Sequence, residues 1–231
     1  MVHPGSRSLG IRARSVWRIT VAKSTGFAEL DALLTARKGH VDFVDVPELA
    51  FLSIDGTGAP DGQQFQAALR ALYAVSYGAH FLVKKQTGAA PRVMPLEALW
   101  WMEGVTGEQL AHPESFPESD RDAWRWRAMI AQLPPIDEAV VRHATEQARA
   151  KGGGAIDALR FERWAEGPSA QIMHVGPYST ESTSIAALHA GIAAHGSRPR
   201  GRHHEIYLGD PRSAAPERLR TILRQPVEPA A

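Results

Sequence analysis

The sequence predicts an α+β fold: two copies of a strand–helix–strand–strand module related by a pseudo-twofold, with mainly antiparallel sheets and a ligand cleft between the halves. Three observations predict it. "PELAFLSIDGTG" (Pro47–Gly58) and "PSAQIMHVGPYS" (Pro168–Ser179) are each an apolar strand that runs into a glycine and then a helix start. After each comes a helical segment and then two strand-like segments, in the same order. The spacing between matched positions shrinks steadily, from Gly56 and Gly176 through Glu97 and Glu205 to Trp126 and Leu219, so the first half simply has longer connections.

The elements follow in chain order. Residues 1–38 form a basic extension, partly disordered and outside the fold: Arg7, Arg12, Arg14, Arg18 and Lys23 precede the first acid, Glu29, and their charges break any signal-peptide core. The domain runs over 39–228, with halves of about 39–135 and 136–228. "FVDVPELAFLSI" and "RFERWAEGPSAQIMHV" read as opening hairpins that turn at Pro47-Glu48 and at Glu166-Gly167-Pro168. In the first helix Phe65, Leu69, Leu72 and Ser76 make one stripe, with Tyr73 and Tyr77 one turn apart beside it. "MPLEALWWMEG" and "RWRAMIAQLP" are the strands after it, separated by the loop "EQLAHPESFPESDRD". "IDEAVVRHATEQARAKGGG" is a linking helix stopped by glycines. The second helix carries Ile185, Leu188 and Ile192 and ends at His195-Gly196; "HHEIYLGD" and "RLRTILRQPV" close the chain.

Composition narrows the function classes. At 231 residues and 44% hydrophobic, the chain can bury a sizeable core. Lys and Arg total 26 against 25 Asp and Glu, which gives no strong field toward nucleic acid or anionic membranes, and no run approaches the length of a membrane helix. The absence of cysteine suits a cytoplasmic setting and removes thiolate chemistry. Ten histidines invite a metal, yet His203 and His204 point to opposite faces of a strand, and His189 and His195 do not share a helix face. His174 reads as a hydrogen-bonded structural residue. No dinucleotide fingerprint, P-loop or nucleophile elbow is present. Neither a metal nor a cofactor is expected.

In the strand "HHEIYL", His203, Glu205 and Tyr207 share one face, with His204, Ile206 and Leu208 on the other. A carboxylate and a phenol side by side within a strand mark the first face. The duplication places Glu97, Leu99 and Trp101 as the equivalent contribution of the first half to the cleft, with Tyr73 and Tyr77 as one wall and Trp124 and Trp126 as another. Candidate ligand-binding residues are therefore Glu205, Tyr207, Trp101, Trp126, Tyr73, Tyr77 and Glu97; Glu205 and Tyr207 are also the candidate catalytic pair. One of Trp100 and Trp101 is expected in the core. For Glu97 the favoured alternative is a surface ion pair with Arg92 or Arg127. Aromatic walls around a carboxylate suit flat, apolar and cationic ligands, and the same carboxylate is able to act as a general base.

"FVDVPELAFLSIDGTG", "ALRALYAVSY", "VMPLEALWW", "WRWRAMIAQLP", "QIMHVGPYS" and "GRHHEIYLGDPRSAAPERLRTILRQPV" together resemble the GyrI-like small-molecule-binding proteins, over about Gly39 to Val227. The resemblance implies duplicated strand–helix–strand–strand modules with a ligand cleft between them. In similar BmrR-type drug-sensing regulators a glutamate on the equivalent late strand meets cationic aromatic ligands, and Glu205 is the matching position. Some stand-alone relatives are implicated as hydrolases that open the cyclopropane ring of cyclopropanoid DNA-alkylating natural products, which would make this a detoxifying enzyme. Others bind DNA gyrase, a protein-partner role that would expose Trp100, Trp101 or Trp126 as a patch. Multidrug or xenobiotic binding is the first expectation, hydrolysis the second and gyrase interaction the third.

Overall fold

The computed structural model of the chain describes residues 27–89, 91–103, 122–151 and 155–230. The basic arm up to residue 26 and most of the acidic loop read at 108–122 lie outside these.

Helix α1 spans Phe27–Leu33, and strand β1 spans Asp42–Thr57. Helix α2 (Gln63–Thr87) follows, then β2 (Leu96–Met102) and β3 (Trp124–Ala131). Helix α3 (Glu138–Ala150) links to β4 (Arg160–Val175), α4 (Glu181–Ala194), the short β5 (Ser197–Pro199), β6 (His203–Tyr207) and β7 (Arg220–Pro229). The order β1-α2-β2-β3 recurs as β4-α4-β6-β7, so the α+β duplication holds. The two halves share one sheet. Strands run β4-β1-β3-β2-β6-β7, and β7 pairs again with β4, closing the described strands into an antiparallel ring. Pairings β1–β3 and β4–β7 are equivalents, as are β2–β3 and β6–β7; β1–β4 and β2–β6 each pair an element with its own counterpart. That is the pattern a twofold axis through the ring produces.

The opening hairpins are not there. β1 and β4 are single strands of 16 residues each, paired antiparallel from Asp42 with Gln171 to Ser53 with Arg160. The two turn-like signals face each other across this ribbon, Val46 pairing with Gly167 and Asp45 with Pro168. They bend it rather than reverse it. Pro47 has no N–H to donate, and β3 begins its pairing with β1 only at Phe51, so the proline lies where β1 has one neighbour. Gly167 takes the left-handed conformation the bend requires, with φ 72°.

Local chemistry explains the helices. Phe65, Ala68, Leu72, Val75, Ala79 and Val83 recur along the buried face of α2. Gly88, in the left-handed region, ends the helix and donates its N–H to the Lys84 carbonyl. Asp137 caps α3 by accepting from the Val140 N–H at 2.9 Å. Trp126 is completely buried beneath α2, its ring edge-on to Phe65 at 4.9 Å. Burying one such aromatic contributes about 2–3 kcal/mol before any cavity cost.

Residues 27–38, read from sequence as part of the extension, belong to the folded body. Leu30 and Leu33 are buried in the main core. The backbone carbonyls of Leu33 and Thr35 accept from Arg224 at 2.7 Å and Gln171 at 2.9 Å, which fastens the segment to β7 and β4. A short helix with two leucines at i and i+3 has too little periodicity to stand out from a basic tail.

Candidate functional site

Helices α2 and α4 lie on the outer face of the ring, since a ring of six strands has no room inside for them. Between them β2 and β6 meet around the pseudo-twofold, and a cavity of about 1370 Å³ opens over these two strands. From α2 it is lined by Phe65, Leu69, Tyr73 and Tyr77; from β2 by Leu96 and Trp100. Trp124 joins them at the start of β3. The turn before α4 adds Tyr178, α4 adds Glu181 and Ile185, and β6 adds Glu205 and Tyr207.

A chain of hydrogen bonds runs through its floor. The Trp100 Nε1–H donates to the Tyr207 hydroxyl at 3.1 Å, and that hydroxyl donates to Glu205 Oε2 at 2.6 Å. The second oxygen, Glu205 Oε1, lies 3.6 Å from Nε2 of His203, a fully buried imidazole that makes no hydrogen bond. The side chain of Glu205 is 13% exposed. Burial, and then the negative charge of Glu205, push the Tyr207 phenol well above its ordinary range. The Tyr178 ring meets that of Tyr207 edge-on at 5.8 Å, and its hydroxyl is pushed up to about 12 by burial and by the acids around it.

A second carboxyl faces the first. Glu181, 7% exposed, is pushed up to about 9 by burial and by the charge of Glu205, so it is a neutral acid at pH 7. The Thr221 hydroxyl nearby, which makes no full hydrogen bond, offsets this only in part. Glu181 Oε1 has no partner. The site thus combines two neighbouring carboxyls, Glu205 and Glu181, with a cage of aromatic rings.

Four of the residues singled out from sequence come together here: Glu205, Tyr207, Tyr73 and Tyr77. Three do not. Glu97 pairs with Ile206 and Ala98 with Glu205, so Leu96, Ala98 and Trp100 share the face of Glu205 while Glu97, Leu99 and Trp101 turn away. With Gly56 matched to Gly176 and Trp126 to Leu219, the strand registers make Leu96 the counterpart of Glu205. Matching Glu97 to Glu205 was one residue off, which flips the face. Trp101 instead stacks under the Arg202 guanidinium at 3.5 Å. Trp126 shares the right face but is sealed beneath α2; Trp124, two residues earlier, reaches the cavity.

Glu97 forms no surface pair with Arg92 or Arg127. It is buried on the inner side of the ring, with a carboxylate oxygen 3.0 Å from Nε2 of His204, off the hydrogen-bonding angle. On its other side His204 Nδ1 meets Glu166 Oε1 at 3.0 Å, and Arg224 reaches Glu166 at 3.3 Å. His204 is pushed up to about 9, its flanking carboxylates outweighing burial. His174, read as structural, meets Ser184 at 3.0 Å and the Pro177 carbonyl at 3.2 Å.

Sequence reasoning missed Trp100, Tyr178 and Glu181 as lining residues. For Trp100 the signal was the strand parity itself. For Glu181 it was spacing: an acid at i on a stripe continued by Ile185, Leu188 and Ile192, where an ordinary helix start carries its acid on the wet side.

The profile of the GyrI-like small-molecule-binding domain matches residues 40–228. The chain belongs to this family. As a GyrI-like small-molecule-binding domain, it places a cavity where small-molecule sites are favoured, between duplicated halves. Three solved structures from Listeria innocua are similar to it. One, described as an uncharacterized conserved protein, is 36% identical with a TM-score of 0.76, covering 87% of this chain and 98% of its own. Two described as hydrolases are 34% and 36% identical, with TM-scores of 0.71 and 0.73 and the same coverages. A search of curated protein sequences returned no match. No helix among the described residues is long and apolar enough to cross a membrane.

Proposed function

We propose that this GyrI-like domain binds flat, aromatic, hydrophobic small molecules, cations above all, with Glu205 as counter-charge at the cavity floor. One observation carries the reading: a carboxylate only 13% exposed, held by a 2.6 Å bond from Tyr207 and walled by Trp100 and Tyr178. Ring faces attract a desolvated cation by about 2 kcal/mol, and the carboxylate supplies the opposite charge. Titration with N-methyl-4-phenylpyridinium, followed by tryptophan fluorescence, tests it. Saturable quenching that weakens at least tenfold in Glu205→Gln is the expected result; equal affinity of the two proteins would sink the reading.

A second reading is hydrolysis, with a cyclopropane-bearing alkylator as substrate. It is supported by the likeness to the Listeria proteins described as hydrolases and by the two unequal carboxyls. Glu205 Oε1 takes a proton from water as the water oxygen bonds to the ring CH2. The ring C–C bond breaks, its electron pair flows into the conjugated carbonyl, and that oxygen takes the proton of Glu181. The proton gained by Glu205 then passes to Glu181, so both groups return to their starting states and the net change is addition of one water. Tyr207 has a single O–H and gives it to Glu205, so it orients the base rather than receiving the oxyanion. Mass spectrometry of the alkylator after incubation decides: a catalytic water adduct, lost in Glu205→Gln, supports turnover, whereas binding without any adduct leaves a binding protein.

A further inference from the structure

Glu181 is unlike the other acids among the described residues. It lines the cavity from α4, is 7% exposed, and one of its oxygens has no partner. A buried polar atom left unpaired is destabilising, and here the atom lies at the wall of an open cavity that also holds Glu205. Among the described residues, no cation is paired with Glu181. Glu205 and Tyr207 of β6, Tyr178 of the preceding turn and Thr221 of β7 are its interacting neighbours, all anionic or neutral. The arginines that line the cavity are engaged elsewhere in two cases, Arg92 with Asp31 and Arg212 with Asp210; Arg70 is the third, on α2 with Tyr73 and Tyr77. Asp210 also lines the cavity.

We propose that Glu181 is a second, ionisable ligand group, and that the cavity takes flat aromatic dications, Glu205 meeting one positive centre and Glu181 the other. This rests on the reading of the cavity as a cation site. In the empty protein Glu181 keeps its proton, since two adjacent carboxylates in a dry site repel each other. A monocation seated at Glu205 leaves that arrangement in place. A second positive centre within about 4–6 Å lowers a carboxyl by roughly 1–3 pH units, enough to release the proton of Glu181 near pH 8. Binding of a dication is therefore coupled to proton release, and binding of a monocation of the same shape is not. The cavity would then accept either charge state of ligand without leaving a bare buried carboxylate when it is empty.

The test uses two probes that share shape and differ by one charge: N-methyl-4-phenylpyridinium and N,N′-dimethyl-4,4′-bipyridinium. Isothermal titration of the full chain at pH 8 in phosphate and in Tris counts protons released. The expected result is between about a half and one proton more for the dication, with its affinity rising up to tenfold per pH unit between pH 7 and 8. Glu181→Gln removes the extra proton and lowers the dication-to-monocation affinity ratio at least tenfold. Equal proton counts for the two probes in the wild-type protein overturn the inference whether or not the variant folds. If the monocation alone binds, this inference falls and the cation-site reading stands; if neither binds, the cation-site reading fails first.

Discussion

At the scale of single residues, the floor of the cavity is ordered by Tyr207. Its hydroxyl accepts from Trp100 and donates to Glu205, so both side chains depend on one oxygen. Tyr207→Phe keeps the ring and removes the link. A hydrogen bond to a charged group contributes about 1.5–3 kcal/mol, so affinity for N-methyl-4-phenylpyridinium should fall roughly 10- to 100-fold. A fluorescence titration checks this, and an unchanged dissociation constant would show that Glu205 needs no such anchor. Glu205 and Tyr207 stood out in the sequence because a carboxylate and a phenol side by side on one strand face need a reason. Glu181 did not, because an acid in the first turn of a helix is also what the helix dipole favours. Only its burial separates the two explanations.

At the scale of elements, strand parity decides which of the β2 tryptophans lines the cavity. Trp100 lines the cavity, while Trp101, its neighbour in β2, lies under Arg202 on the other face. Trp100→Phe should therefore lose a large part of the ligand-dependent fluorescence change, the rest coming from Trp124, and Trp101→Phe should keep it; the reverse pattern would mean that the β2–β6 register is wrong. The packing of β1 on β3 is tested at Gly56. A Cβ there would come within 2.2 Å of the Trp126 ring, which is fixed between the sheet and Phe65. Gly56→Ala should destabilise the fold by about 1–3 kcal/mol, read as a lower melting temperature. The helices and the late strands were legible because their periodicity is strong. The turns at Pro47-Glu48 and Gly167-Pro168 were misread because proline and glycine mark bends as well as reversals, and the partner strand that keeps the chain extended lies more than a hundred residues away in sequence.

At the scale of the whole molecule, the inner cluster ties the two halves together. His204 of β6 sits between Glu97 of β2 and Glu166 of β4, and Arg224 of β7 joins Glu166 to α1 through the Leu33 carbonyl. His204 holds its proton up to about pH 9 in the folded chain, against about 6.5 when unfolded, so its stabilisation is complete below about pH 6.5 and is lost as pH rises through 9. Glu181, raised from about 4.5 to about 9, adds a decline that begins near pH 4.5 and ends near 9, so it overlaps the whole His204 window. Each proton bound only by the folded state steepens the decline by about 1.4 kcal/mol per pH unit. Melting temperatures taken between pH 6.5 and 9.5 should fall steadily, and His204→Gln should melt lower at pH 6.5 with a shallower decline; a flat profile for the wild type would contradict the charge assigned to His204. The sequence by itself determined the duplicated α+β order, the helices and the position of Glu205 and Tyr207 on one strand face, because these follow from local periodicity and from residues that are out of place in it. Only the tertiary structure decided that the halves close into one ring, that Trp100 rather than Trp101 lines the cavity, that Glu97 is buried against His204 and that Glu181 lies near Glu205. Those outcomes depend on strand register and on contacts between segments far apart in the chain; a register shift of one residue, invisible to composition, exchanges the faces of Trp100 and Trp101 and of Glu97 and its neighbours.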